Sequence, residues 1–255
     1  MTDDLIVERD GNVLVARINR PERKNSLSTA LLGSLAAAVT EAESSDDIRV
    51  FLLTATGDST FCAGMDLKEF AAGGGGLDPA DLEAFNRLMY GRLEVPVVAA
   101  VNGTAVGGGL ELLHGCDVIV AASTARFGLP EVKRGLFPAG AGTLLGTRIP
   151  LVVALELNLT GDFIDAARAY ELGLINRVVE AADLMSTALD YARRIAANGP
   201  LGLRAVKELV RAAADGDAAI EARRAEWQRR VFASDDAREG ATAFVEKRAP
   251  NWTGK

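Results

Sequence analysis

Val95-Pro96-Val97-Val98-Ala99-Ala100-Val101-Asn102-Gly103-Thr104-Ala105-Val106-Gly107-Gly108-Gly109-Leu110-Glu111 runs from a buried-strand pattern through glycine turns into a helix. The unbroken apolar run from Val95 to Val101 has strand length and no polar alternation, so both faces are expected to be covered. The glycines at 107–109 lack the GxGxxG spacing of a dinucleotide loop, and they lie too late in the chain for a first strand-to-helix turn. Val50 to Leu53 and Val118 to Ala122 are two more short apolar runs with helical patterns between them. Such alternation predicts an α/β protein built as stacked parallel layers.

Working outward, Leu5-Ile6-Val7 and Val13-Leu14-Val15 predict a hairpin over residues 5 to 19, turning at Asp10-Gly11. Ser28 is placed to cap a helix carrying Leu31, Leu32, Leu35, Ala38 and Val39 at helical spacing. Ala71 to Gly76 contains four consecutive glycines and reads as a linker or lid. A helix over about Pro79 to Glu94 should follow. From about residue 142 the pattern becomes helical, with Asp165 capping Ala166 to Leu172, then Leu184 to Ala197, Leu201 to Ala214 and Ala218 to Ala233. Residues 1–198 therefore read as the α/β core and 199–255 as a helical appendage, without a Pro/Gly-rich linker between them. No internal repeat is visible.

The chain has 255 residues, 49% of them hydrophobic, which is ample for a large core. Its 28 basic and 35 acidic residues give a net charge of -7, which argues against nucleic acid and anionic membrane as partners. Cys62, Cys116 and His114 are the only cysteines and histidine, so no metal site is expected. No GxSxG elbow accompanies His114, and its neighbours Leu113 and Gly115 suit a packing role. The acidic start Met1-Thr2-Asp3-Asp4 is unlike a signal peptide, and no apolar run would span a bilayer. These features predict a cytoplasmic protein with reduced thiols.

Three local features carry candidate chemistry. Phe61-Cys62-Ala63-Gly64-Met65-Asp66-Leu67 has small residues that let backbone N–H groups approach a ligand, although a plain turn with Asp66 as helix cap would look the same. Gly107-Gly108-Gly109 opens a helix, whose free N–H groups suit an oxyanion; tight helix-to-sheet packing is the alternative. Glu111 and Glu131 stand among apolar neighbours, as solvated edge residues or as a buried acid and base.

Taken in order, these stretches resemble the crotonase (enoyl-CoA hydratase/isomerase) superfamily over nearly the whole chain. The resemblance begins at Ile18-Asn19-Arg20-Pro21 and Asn25-Ser26-Leu27, and continues through Phe61 to Leu67 and Val101 to Glu111. It then takes in Phe127-Gly128-Leu129-Pro130-Glu131 and Gly161, and ends with Ser234 to Gly240 and Ala243 to Arg248.

The resemblance implies a ββα spiral core with a C-terminal helical region that builds trimers, or trimers paired into hexamers. It implies hydration of a 2-enoyl-CoA thioester to a 3-hydroxyacyl-CoA, with no bound cofactor, since CoA belongs to the substrate. The backbone N–H groups of Met65 and Gly108 would form the oxyanion hole. Glu131 would move the C2 proton and Glu111 would hold and activate the water. Arg23, Lys24, Ala63, Asp66 and Leu67 would contact the substrate or its CoA, and Phe244 and Lys247 would reach the CoA of a neighbouring subunit. The chain departs from the family pattern at Leu129 and across Gly135 to Gly142, which are expected, with Met65 and Phe137, to shape the acyl pocket. Other readings are 3-enoyl-CoA isomerisation, dehydration of a carnitinyl-type CoA ester, a non-catalytic acyl-CoA-binding relative, and a CoA-independent scaffold.

Overall fold

A computed structural model describes residues 4–73 and 76–255. Its strands are β1 (Leu5–Asp10), β2 (Val13–Ile18), β3 (Val50–Ala55), β4 (Thr60–Cys62), β5 (Val97–Val101), β6 (Thr104–Val106), β7 (Val118–Ala122), β8 (Arg126–Gly128), β9 (Phe163–Asp165) and β10 (Arg177–Val179). Its helices are α1 (Thr29–Ser44), α2 (Leu67–Ala71), α3 (Pro79–Met89), α4 (Gly108–His114), α5 (Leu151–Thr160), α6 (Ala166–Glu171), α7 (Leu184–Ala196), α8 (Pro200–Ala214), α9 (Ile220–Phe232) and α10 (Asp235–Glu246).

The strands form two sheets. The larger has the order β1-β2-β3-β5-β7-β10, parallel throughout except for the β1–β2 hairpin. The smaller has the order β4-β6-β8-β9, with β9 antiparallel to β8. Three windings, β3–β4, β5–β6 and β7–β8, each lay one strand in the large sheet, turn a corner and lay a three-residue strand in the small sheet; the first two leave through a helix and the third through a 3-10 turn. This is the ββα spiral that the family resemblance implies. The glycine-marked turns are its corners, where the chain changes sheets.

Both faces of the large sheet are buried, which explains the missing polar alternation. Leu14, Phe51, Leu53, Val97, Ala99, Val101 and Ile119 face a core shared with α1, α3 and α4. Val13, Val15, Val50, Leu52, Val98, Ala100 and Val120 face α7. Residues Leu184, Ala188, Ala192 and Ala196 make a stripe at i+4 spacing on α7, and the alanines let that helix lie close on the strands.

Helix starts follow the expected caps: Ser28 accepts from Leu31 N–H and Asp165 from Arg168 N–H. Three boundaries differ from expectation. The hairpin turns at Gly11-Asn12, because Asp10 still pairs with Val13. The helix from Pro79 ends at Met89 rather than Glu94. Gly91 there has φ +68°, and the N–H groups of Arg92 and Gly91 close on the carbonyls of Arg87 and Leu88. That pair of bonds is a glycine-terminated C-cap. The stretch after 142 also contains β9 and β10, which have too few residues for a local pattern. The proposed glycine lid includes residues 74 and 75, which lie outside the described residues.

The C-terminal helices dock through charge. Lys207 Nζ lies 2.9 Å from Asp117 Oδ2 and donates to Val95 O at 2.8 Å, while Arg211 Nη2 reaches Asp117 Oδ1 at 2.7 Å. The chain end returns to the core, where Trp252 Nε1 donates to Ala197 O at 2.8 Å and Arg49 Nη2 to Trp252 O at 3.2 Å. No helix among the described residues is long and apolar enough to cross a membrane.

Candidate active site

Two corners of the spiral meet. The first follows β4. Leu27 N–H donates to Gly64 O at 2.8 Å, and Asp66 N–H donates to Leu27 O at 3.0 Å. These bonds use the groups on either side of Met65, so the Met65 N–H faces away from Leu27. Gly64 sits at φ +82°, a conformation that disfavours any side chain.

Asp66 is engaged structurally. Its Oδ1 accepts from the N–H groups of Lys68 and Glu69 at the start of α2, and its Oδ2 accepts from Arg20 and Ser26. Burial acts to raise its pKa, but the bonds from Glu69, Arg20 and Ser26 outweigh it and hold the carboxyl below its ordinary range. Its carboxylate shapes the loop, while Met65 (46% exposed) and Leu67 (45%) present apolar surface beside it.

The second corner follows β6. Gly107, at φ +53°, precedes α4, and Gly108 is that helix's first residue, so its N–H has no acceptor within the helix. The corners abut. A Cβ on Gly64 would lie 2.9 Å from Val106 O and 3.1 Å from Gly108 N, and one on Gly108 would lie 3.7 Å from Met65 N. The amide nitrogens of Met65 and Gly108 are thereby brought side by side.

Glu111 lies one turn into α4 and is 7% exposed. Its Oε1 accepts from Gly142 N–H at 2.9 Å. Burial pushes its pKa up, opposed by hydrogen bonds from the backbone of Gly142 and Gly140. Glu131 lies on the 3-10 turn Pro130–Arg134, and its Oε2 is buried with no hydrogen-bond partner among the described residues. Burial raises its pKa first and the charge of Glu111 raises it further, while its own backbone N–H and Arg134 oppose the rise. Two neighbouring carboxyls whose pKa values are raised by burial suit proton transfer.

A cavity of about 590 Å3 adjoins this region, lined by Lys24, Thr60, Ala63, Thr104, Val106, Pro130, Lys133, Arg134 and Phe163. It gathers three cations, although Lys133 also pairs with Asp162 at 2.6 Å. Lys24 and Ala63 thus share a wall, and the Ala63 N–H donates to Lys24 O at 3.1 Å. Arg23 is exposed on the same loop and is not among the cavity's lining residues. Phe244 is 85% exposed on α10, and Lys247 is that helix's left-handed C-cap. Leu129 is 0% exposed inside the core, so it does not form an open pocket wall, whereas Phe137 is 66% exposed.

Sequence reasoning did not find Gly142 as a partner of Glu111, nor Lys133 and Arg134. The run Gly140-Ala141-Gly142 was the available clue, since a Cβ on Gly140 or Gly142 would lie 3.0 or 3.1 Å from Glu111 Oε1. His114 and both cysteines take no part in this site. Burial pushes the thiols of Cys62 and Cys116 up to about 12, and His114 Nδ1 is buried without a partner among the described residues. No group of His, Cys, Asp and Glu that could hold a metal occurs among the described residues.

A family model described as enoyl-CoA hydratase/isomerase matches residues 8–255. The chain is 40% identical to enoyl-CoA hydratase EchA19 of Mycobacterium tuberculosis, over 99% of this chain and 97% of that one. It is 34% identical to a carnitinyl-CoA dehydratase of Proteus mirabilis over the full length of both. A crystal structure of enoyl-CoA hydratase from Mycobacterium tuberculosis superposes with a TM-score of 0.93 at 41% identity, covering 100% of each chain.

Proposed function

Since the chain belongs to the enoyl-CoA hydratase/isomerase family, we propose that it adds water across the double bond of a 2-enoyl-CoA thioester, giving a 3-hydroxyacyl-CoA. The observation that carries this reading is the pair of a buried Glu111 and a half-buried Glu131, each with its pKa raised by burial and Glu131 further raised by the charge of Glu111.

The thioester oxygen is read as sitting between the Met65 and Gly108 N–H groups. Negative charge gathers on that oxygen as water adds to C3, and each such donor is worth about 2.7–4 kcal/mol of barrier. Glu111, held by Gly142, takes the role of orienting and deprotonating the water. Glu131 delivers a proton to C2. The water oxygen bonds to C3, its proton goes to a carboxylate, and the enolate electrons return to C2 as the new C–H bond forms. The division of labour belongs to the pair, because coupled carboxyls share their titration.

The cavity beside Lys24 and Ala63 supports CoA as the handle, since Lys24, Lys133 and Arg134 suit its phosphates. We read the molecule as a homotrimer or paired trimers. Its support is the row Leu151, Val152, Leu155 and Leu159 on α5, exposed by 47–74%, together with Phe232, Phe244 and Val245 near the C-terminus. Phe244 and Lys247 are then placed to meet a neighbouring subunit.

Crotonyl-CoA hydration, followed by loss of thioester absorbance, tests the reading. Glu131→Gln should abolish turnover while the variant still binds acetoacetyl-CoA, a mimic of the enolate. Full turnover in that variant would remove Glu131 from the mechanism, and no acetoacetyl-CoA binding by the wild type would remove the oxyanion hole. A second reading, dehydration of a carnitinyl-type CoA ester, draws on the full-length similarity to the Proteus enzyme. It uses the same carboxylates in reverse, and comparing crotonyl-CoA with crotonobetainyl-CoA as substrates decides between them.

A further inference from the structure

Arg148 does not touch the carboxylate pair, yet it joins the two pieces of chain that define Glu111. By backbone it ends the 3-10 helix Ala141–Thr147, where its N–H donates to Leu145 O at 3.0 Å. That helix carries Gly142, the donor to Glu111 Oε1 at 2.9 Å. By side chain it grips the end of α4, the helix that carries Glu111 itself. One nitrogen, Nη1, donates to the carbonyls of Leu113 at 3.1 Å, His114 at 2.6 Å and Cys116 at 2.8 Å. Carbonyls at a helix end have no partner within the helix, so they take an external cation well.

We propose that Arg148 is a positioning residue for Glu111: it locks the segment 141–147 against the C-terminal end of α4 and so holds the Gly142 N–H on the Glu111 carboxylate. The inference rests on the reading of Glu111 as the group that holds and deprotonates water. The holding surface near Oε1 is the backbone of Gly140 and Gly142, where an added Cβ would lie only 3.0 and 3.1 Å from that oxygen. A backbone donor cannot readjust by changing a rotamer. Its place depends on how its whole segment is anchored, and Arg148 is an anchor at the segment's far end.

Arg211 supplies an internal control. It binds the same end of α4, through Nη2 to Gly115 O at 2.9 Å and Cys116 O at 3.2 Å, but it stands on α8. It steadies the acceptor helix without touching the donor segment. The charged and titratable groups around the two arginines include His114, Cys116, Asp117 and Lys207. Across the site, Glu131 feels the charge of Glu111 and is itself faced by Arg134.

The test compares Arg148→Met, Arg148→Lys and Arg211→Met in the full chain. Crotonyl-CoA hydration is measured against pH, with acetoacetyl-CoA affinity, melting temperature, and a carbon-13 titration of the glutamate carboxyls that does not depend on turnover. Lysine is the informative conservative change, because it keeps the charge while its shorter side chain does not carry an ammonium as far as the place of Arg148 Nη1 among the three carbonyls. Both Arg148 variants should lower kcat about tenfold while KM and acetoacetyl-CoA affinity stay within about twofold. Loosening the Gly142 bond weakens a contact that favours the carboxylate, so the acid limb of kcat and the Glu111 titration should both move to higher pH. Arg211→Met should lower the melting temperature and leave both titrations in place. Unmoved titrations in Arg148→Lys, or an equal movement in Arg211→Met, would overturn the proposal. If Arg148→Met does not fold, Arg148→Lys alone carries the comparison. Wild-type protein that fails to hydrate any enoyl-CoA would refute the functional reading instead, while the carbon-13 titration would still report whether Arg148 positions Glu111.

Discussion

Gly107 faces the Glu131 carboxylate so closely that a Cβ built on it would lie 2.6 Å from Oε1. A side chain at position 107 therefore competes for the space that places Glu131. The positive φ of 53° also disfavours any L side chain there. Gly107→Ala should lower hydration kcat by about 100-fold, the cost of a displacement near 1 Å at a reacting group. Activity kept within a few-fold, with folding intact, would show that the Glu131 position is not set by this contact.

Glu111 carries a stability cost above the ordinary carboxylate range. Its folded-state pKa lies above the unfolded value, chiefly through burial. The contribution to stability is thus fully present below the unfolded pKa and is lost as pH rises through the folded pKa. Glu111→Gln should raise stability at pH 7–8 by roughly 0.5–2 kcal/mol while removing activity. The gain should vanish in mildly acid solution. Melting curves of both proteins from pH 4 to 8 check this, and a destabilised variant at pH 8 would contradict it.

His114 should behave in the opposite sense. Burial, with the charges of Arg148 and Arg211, pushes its imidazole down from 6.5 to about 4. Its contribution is present above the unfolded value and lost as pH falls through the folded one. The stability difference between wild type and His114→Gln should therefore shift against the wild type by up to about 3 kcal/mol between pH 7 and 4. Denaturant titrations at several pH values measure that difference, and a flat difference would remove His114 as an acid-sensitive group.

Asp117 ties the C-terminal helices to the core. It neutralises Lys207 and Arg211 while its Oδ2 accepts the Val97 N–H at 2.7 Å. The Lys207 side chain is only 7% exposed, so removing its partner leaves a buried charge unpaired. Asp117→Ala should cost about 3–5 kcal/mol. Hydrogen exchange should quicken in α8 before it does in β5. Uniform destabilisation with no preferential opening of α8 would show that the ion network is not the tie.

Lys24 and Lys133 border the cavity that suits a phosphate-bearing handle. Replacing both with Ala should raise KM for a CoA ester about tenfold and leave KM for the matching pantetheine thioester little changed. Added salt should shrink the difference. Equal effects on both thioesters would move the CoA path elsewhere.

Much of this architecture was legible in the chain because it has local causes. Val50 to Leu53, Val97 to Val101 and Val118 to Ala122 announce buried strands by unbroken β-prone runs. Ser28 and Asp165 announce helix starts because a side-chain oxygen can satisfy an N–H two or three residues on. Gly91 could also have been read as a stop for α3. The order of the glycine corners and the two glutamates pointed to the family and to the candidate site.

The sequence by itself thus determined the α/β class, the main strands, most helix starts and the short roll of candidate groups. Only the tertiary structure decided how they meet. Strands β4, β6, β8, β9 and β10 have three residues each and exist through pairing with distant chain, which leaves no periodic trace. The bond from Gly142 to Glu111 spans 31 residues and that from Arg148 to Leu113 spans 35. The raised pKa of both glutamates follows from burial, a property of the packed interior and not of the residues beside them in the chain. The two carboxyls therefore acquired their raised pKa values only when the spiral closed around them.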